Sequence, residues 1–287
     1  ITLPGILKHF EKEQECGNQD FYVEFMLNTD EYINDTVDII LIKNDKTEIV
    51  LKSQVLTFPF EEIRKKFPNK NYNVISTIVQ NYNNRLDEWI KYHLKLKFDY
   101  ILLFDNKTNN SHDNINEITD KYDNVFVIKF PYKSASDHWK HIQRVSLHIG
   151  VNGLKPITRY IAIIDADEFV YFPDEKYNMS IRKFLENKDT SIVFNSTIIT
   201  NNSNHETFNN DCLKKCIYPC HQLYDKIILF TDSIKENEFI LTPHKHKTCS
   251  HGGKEIKHYH VWVNERCKYN GSENNKFEGM KKFLYGN

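Results

Sequence analysis

The chain has 287 residues, 40% of them hydrophobic and 13% aromatic, with 38 Lys and Arg against 39 Asp and Glu. That length carries one large α/β domain with an appendage, or two small domains, and the composition is globular. A net charge of −1 excludes nucleic-acid binding by bulk electrostatics, and no apolar run approaches the roughly 18 residues of a membrane helix. No signal-peptide pattern precedes the globular pattern, and the chain begins at Ile1 rather than Met, as a trimmed or partial chain would. Neither the cytoplasm nor the secretory lumen is excluded.

Residues 20–58 alternate in strand fashion, with Phe21, Val23 and Phe25 on one face. Runs over 37–42 and 47–51 flank Lys43-Asn44-Asp45-Lys46, a hairpin turn by composition. Phe58-Pro59-Phe60 and Phe67-Pro68-Asn69-Lys70 mark a connection. The expected division is a small antiparallel β module over 1–70 and a main α/β domain over 71–287.

From residue 72 strands alternate with helices, the signal for a largely parallel sheet. Residues 74–79 form a buried apolar run. Leu86, Trp89, Ile90, His93 and Leu94 follow at helical spacing, with Asp87 and Glu88 suited to the first turn. Trp89 and His93 are read as helix core. Strands are predicted over 100–104 and 125–128, then a helix from about 136 carrying Trp139, Ile142, Val145 and Ile149. A fourth strand over 160–164 delivers Asp165-Ala166-Asp167-Glu168, and later strands are predicted over 191–194, 226–230 and 257–262. Loops at 80–85, 105–112, 130–137 and 165–168 then share one edge and surround one crevice.

The three carboxylates at 165–168 are the strongest chemical signal. Left uncompensated, they repel one another and are costly to desolvate, so such a cluster recruits a cation. Hard oxygen ligands in a short Asp-x-Asp suit Mg²⁺ or Mn²⁺, which in turn suit a diphosphate. A solvated turn after a core strand is the plainer alternative. Asp105, at the tip of the second strand, is placed for a ribose or base, or for a turn with Asn106.

The six cysteines do not define a disulfide scaffold at this size, and the Cys212, Cys216, Cys220 spacing lacks the Cys-x-x-Cys of a zinc knuckle. One or two disulfides remain compatible. Glycosylation sequons begin at Asn34, Asn106, Asn109, Asn178, Asn195, Asn201 and Asn270, a modest excess for so Asn-rich a chain. His244, His246 and His251 fall in a Lys-rich loop, either solvated or covering a diphosphate. His258 and His260 share one face of the last strand.

These residues carry a resemblance. Residues 80–94, with Glu88-Trp89 and His93, are similar to the "KNE…EW…H" opening of glycosyltransferase family 92 and its family 2-like relatives. Phe104-Asp105-Asn106 resembles their "YDN", Asp165-Ala166-Asp167-Glu168-Phe169 their "DxDEF", and His258-Tyr259 a late "HY"; Gln143 falls where they carry a glutamine. The resemblance spans roughly 72–265. It departs at Gln80-Asn81-Tyr82, which replaces Lys-Asn-Glu, and over 195–225, where the family's acceptor-side pattern is missing.

The resemblance implies a GT-A fold, a Rossmann-like and mostly parallel sheet, with residues 71–287 forming a catalytic domain. It implies an inverting hexosyltransferase that moves a sugar from a nucleotide sugar, a UDP-sugar first, to a glycan or glycoconjugate. Mn²⁺ or Mg²⁺ would be held by Asp165, Asp167 and His258, with His260 as the alternative. Gln80, Asn81, Asn83, Asp105, Gln143 and Asp165 would bind the donor. Asp165 and Asp167 would be catalytic, with Glu206 the first and Asp211 the second candidate for general base. Glu168 is read equally as a ligand or as a partner within the turn. A metal-dependent phosphoesterase would place more carboxylates and histidines on the early strand ends, which here carry amides. A non-catalytic carbohydrate-binding relative is the third reading. No Gly-x-Gly-x-x-Gly or Walker loop supports a dehydrogenase or P-loop NTPase.

Overall fold

The computed structural model describes residues 6–9, 21–24, 36–43, 47–55, 59–80, 85–107, 114–131, 139–194, 196–200, 218–219, 225–235, 238, 240, 242–244, 246–251, 255–261 and 278–286. Before residue 56, and at 140–141, 196–200, 218–219, 251, 257–261, 278–279 and 281, the description is of the backbone alone.

Strands β1 (Ile6–His9) and β2 (Phe21–Glu24) pair antiparallel, as do β3 (Thr36–Lys43) and β4 (Thr47–Val55). The second pair is the expected hairpin. Its register ends with Lys43 opposite Thr47; residues 44–46, the centre of the expected turn, lie outside the described residues. Helix α1 (Phe60–Lys66) follows, where the sequence predicts only a connection, with acidic residues in its first turn and basic ones in its last.

The centre is a seven-stranded sheet. Its members in chain order are β5 (Asn73–Val79), β6 (Tyr100–Asp105), β7 (Val125–Lys129), β8 (Tyr160–Ile163), β10 (Ser191–Phe194), β13 (Lys226–Phe230) and β14 (Cys249–His251). Between β8 and β10 the chain forms β9 (Glu168–Tyr171); β11 (Ser196–Thr200) and β12 (Tyr218–Pro219) precede β13, and β15 (Lys257–Val261) comes last. The spatial order is β14-β10-β13-β8-β5-β6-β7. Pairs among β8, β5, β6 and β7 are parallel, as is β10 with β14, and β13 alone runs antiparallel to its neighbours. The result is the expected mixed α/β architecture with a mostly parallel sheet.

Both faces of the sheet are covered, which is why its strands read as continuous apolar runs. One face buries Ile75, Ile101, Leu103, Ala162 and Ile228 against helix α2 (Arg85–Lys95), α3 (Ile115–Thr119), α5 (Ile181–Leu185) and Met280 of α6 (Glu278–Tyr285). The other buries Val74, Leu102, Phe104, Ile161 and Leu229 against α1 and against Leu147, Val151 and Leu154 of helix α4 (Trp139–Leu154). Gly150 lets α4 approach closely: a Cβ there would meet the Ser76 hydroxyl and stand 3.1 Å from the Phe104 ring.

A second sheet has the order β12-β11-β15-β9. Here β15 pairs antiparallel with β9 and parallel with β11. The late strand is therefore built beside the residues that leave the Asp165–Glu168 turn, across nearly ninety intervening positions.

Candidate functional site

The parallel strands end together. Val79 pairs with Asp105, and Asp105 with Lys129, so the segments beginning at 80, 106 and 130 share one edge with the end of β8. Buried Asn106 stitches that edge. Its Nδ2 donates to the Phe130 carbonyl at 2.6 Å, its Oδ1 accepts from Gln80 Nε2 at 3.2 Å, and its backbone N–H donates to the Val79 carbonyl. An amide so placed is no accessible glycosylation acceptor, which removes one of the sequons.

After β8 the chain reverses through a turn over Asp165-Ala166-Asp167-Glu168. The Glu168 N–H donates to the Asp165 carbonyl at 3.0 Å, and Glu168 Oε2 returns to accept from the Asp165 N–H at 2.7 Å. Glu168 is 2% exposed and is a turn partner, the second of its two expected roles. Ala166 and Asp167 form the corner of the turn and are half-buried.

A lysine completes the group. Because β13 runs antiparallel, its first residue lies at the edge where β8 ends; Ile227 pairs with Ile163, and Lys226 comes one position before it. Lys226 Nζ lies 2.6 Å from Asp165 Oδ2 and 3.2 Å from Glu168 Oε2, with side chains 3% exposed at Lys226 and Glu168. Gln143 of α4 donates from Nε2 to Asp165 Oδ1 at 2.9 Å. Burial alone would lower the Lys226 pKa, but the charges of Glu168 and Asp165 overturn that and raise it above the ordinary lysine value. His244 donates from Nδ1 to the Asp225 carbonyl at 2.7 Å; burial, reinforced by the Lys226 charge, holds its pKa below the usual imidazole range. The carboxylate repulsion expected from sequence is thus relieved from within the chain.

Helix α2 holds the strand that follows. Trp89 Nε1 donates to the Glu168 carbonyl and the Tyr92 hydroxyl to the Val170 carbonyl, both at 2.7 Å. The Val170 N–H donates to His93 Nε2 at 3.4 Å, while His93 Nδ1 donates to the Trp89 carbonyl at 2.8 Å. Since β9 is an edge strand, groups facing away from β15 have no ladder partner, and these side chains supply one. His93 is wholly buried and stacks on Phe169; desolvation pushes its pKa down to about 3, which keeps Nε2 an acceptor.

The structure brings Gln143, Asp165, Asp167 and Glu168 together and puts Gln80 and Asp105 on the same edge. Asn81, Asn83, Glu206 and Asp211 lie outside the described residues. In the β15 backbone His260 pairs with Glu168, whereas His258 pairs with Val170, two residues further from the turn. Both side chains lie outside the described residues. Of the Lys-rich loop, His246 is no solvated residue: Nε2 meets Glu238 Oε1 at 3.1 Å and Nδ1 meets the Thr248 hydroxyl at 2.7 Å, with 5% of its side chain exposed. Cys249 is a free thiol and half-buried.

The residue missed by sequence reasoning is Lys226. Its signal was a charged residue at the head of an apolar strand. As a metal cradle the site is a poor fit at Asp165 and Glu168, whose oxygens already accept from Lys226, Gln143 and a backbone N–H. Among the described residues no three His, Cys, Asp or Glu side chains converge as a metal's ligand set. No described helix is long and apolar enough to cross a membrane.

No protein-family model and no curated protein matches this chain. The functional reading accordingly rests on the residues of the site.

Proposed function

We propose that this chain is a glycosyltransferase of the GT-A type, moving a hexosyl group from a nucleotide sugar, a UDP-sugar first, to a glycan or glycoconjugate. The observation that carries the reading is the Asp165–Glu168 turn at the carboxyl edge of the parallel strands, where open α/β sheets bind ligands. Gln143 and Lys226 fix its first carboxylate, and Gln80, Asp105 and Asn106 stand along the same edge.

Glycosyl transfer breaks the bond from the anomeric carbon to the diphosphate as an acceptor oxygen forms a new one, and negative charge grows on the departing diphosphate. Three bare carboxylates would repel that group. Lys226 between Asp165 and Glu168 removes one unit of that negative charge, and Asp165 is held in one orientation for a donor hydroxyl. Asp105 is the second carboxylate for ribose or base. The cofactor in this reading is Mn²⁺ or Mg²⁺, which Asp167 would help to hold and which would stabilise the charge on the leaving diphosphate; inversion would assign the acceptor proton to Glu206 or Asp211.

A hydrolysis screen across common UDP- and GDP-sugars tests this reading, since transferases release sugar slowly to water without an acceptor. Turnover of one donor that Asp167→Ala abolishes is the expected result. Nucleotide binding without turnover of any donor would instead favour the non-catalytic reading, and hydrolysis of simple phosphate esters the phosphoesterase one.

A further inference from the structure

We infer that the Lys226 ammonium holds the cation position between Asp165 and Glu168, so a divalent ion joins this site only together with a diphosphate ligand. The second half of that statement rests on the nucleotide-sugar reading; the first rests on the side-chain geometry alone.

A carboxylate site draws its affinity for a hard cation from its net charge and from lone pairs directed at the ion. Lys226 diminishes both. Two carboxylates and one ammonium leave a formal charge of −1 on the trio. Both oxygens of Asp165 are engaged, Oδ1 by Gln143 and Oδ2 by Lys226, and Glu168 Oε2 serves the Asp165 N–H as well as the ammonium. Mg²⁺ and Mn²⁺ need near-octahedral oxygen donors at roughly 2.0–2.2 Å, which these engaged oxygens do not offer.

The ammonium is also shielded from solvent. It is almost wholly buried at the head of a core strand, so water does not screen its repulsion of an incoming cation. A diphosphate changes the balance by bringing its own oxygens and negative charge to the corner of the turn, where Asp167 stands. The trio then acts as a preassembled, metal-free support for the turn, and the metal arrives as part of the ligand.

Electron paramagnetic resonance of Mn²⁺ reads this directly, because the free hexaaqua ion loses its six-line signal on binding. For the wild-type protein the signal should persist with Mn²⁺ alone, corresponding to a Kd weaker than about 1 mM, and on adding UDP fall below that of a protein-free Mn²⁺–UDP control, since UDP alone also binds the ion. Lys226→Met should bind Mn²⁺ without UDP at least about tenfold more tightly than wild type, because the repelling charge is gone. Lys226→Arg, which keeps the charge, should behave as wild type. Tight Mn²⁺ binding by wild type without nucleotide would overturn the inference, as would a folded Lys226→Met that binds no better. Should Lys226→Met fail to fold, the wild-type and Lys226→Arg titrations still decide. A UDP effect no greater than in the protein-free control would overturn the ligand-coupled half and the transferase reading with it, while the Mn²⁺-alone titrations judge the lysine separately.

Discussion

The indole N–H of Trp89 donates to the backbone carbonyl of Glu168 at 2.7 Å, joining the second helix to the residue that closes the carboxylate turn. With Tyr92 and His93 it makes α2 a surrogate neighbour for the open edge of β9. A motif that reads from sequence as helix core is also the fixture of the turn. Removing one donor leaves a buried carbonyl unsatisfied, which costs about 1–3 kcal/mol. Trp89→Phe and Tyr92→Phe should each lower stability by that amount and speed amide exchange in 168–171. Denaturant unfolding with hydrogen–deuterium exchange checks it, and unchanged exchange in that strand would contradict the assignment.

His93 gives a pH dependence of known sign. Its folded pKa is pushed down to about 3, against 6.5 in the unfolded chain. Between those values the unfolded chain binds a proton that the folded chain does not. Stability is therefore full above pH 6.5 and falls on acidification by roughly 1.4 kcal/mol per pH unit from this residue. His244 acts in the same direction. His93→Gln should flatten the slope between pH 6 and 4 relative to wild type, as measured by urea unfolding at each pH; equal slopes would remove His93 from the account.

Asp167→Ala should reduce sugar transfer or donor hydrolysis at least about 100-fold, the scale of losing one transition-state electrostatic contact. The backbone and side-chain bonds that close the turn run between Asp165 and Glu168, so the fold should survive. Turnover and melting temperature measured together check both halves. Activity near wild type with saturating Mn²⁺ would dismiss Asp167 as a site residue.

Gly150→Ala should cost about 1–3 kcal/mol, because overpacking at a buried helix–sheet contact outweighs the small gain in helix propensity. The added methyl meets the Ser76 hydroxyl and the Phe104 ring. In a Ser76→Ala background the same substitution should cost less, and a double-mutant cycle measures the difference. Additive effects would mean that α4 simply shifts.

Much of the central sheet was legible because β5, β6, β8 and β13 are short apolar runs bounded by polar residues, and α2 carries its apolar positions at helical spacing. The turn at 165–168 was legible for the opposite reason: three carboxylates after such a run have few benign places to go. Lys226 was not legible. Its role depends on β13 entering antiparallel, a long-range pairing that no local pattern encodes, and a parallel strand would have carried the same lysine to the opposite edge. Glu168 could be read two ways from sequence, and only the turn's reciprocal hydrogen bonds distinguish them. Likewise, His258 and His260 are equivalent by alternation; their register against β9 is what sets His260 opposite Glu168.

The most direct test of the central claim, that this edge binds a nucleotide sugar, is isothermal titration calorimetry with UDP and GDP. Wild type and Asp167→Ala would be titrated in Mn²⁺ and in EDTA. The account predicts that wild type binds one nucleotide in Mn²⁺ and loses at least about tenfold in affinity, about 1.4 kcal/mol, in EDTA. Asp167→Ala should match the EDTA value in both buffers. Heats indistinguishable from dilution for both nucleotides, or binding that ignores both the metal and Asp167, would contradict it.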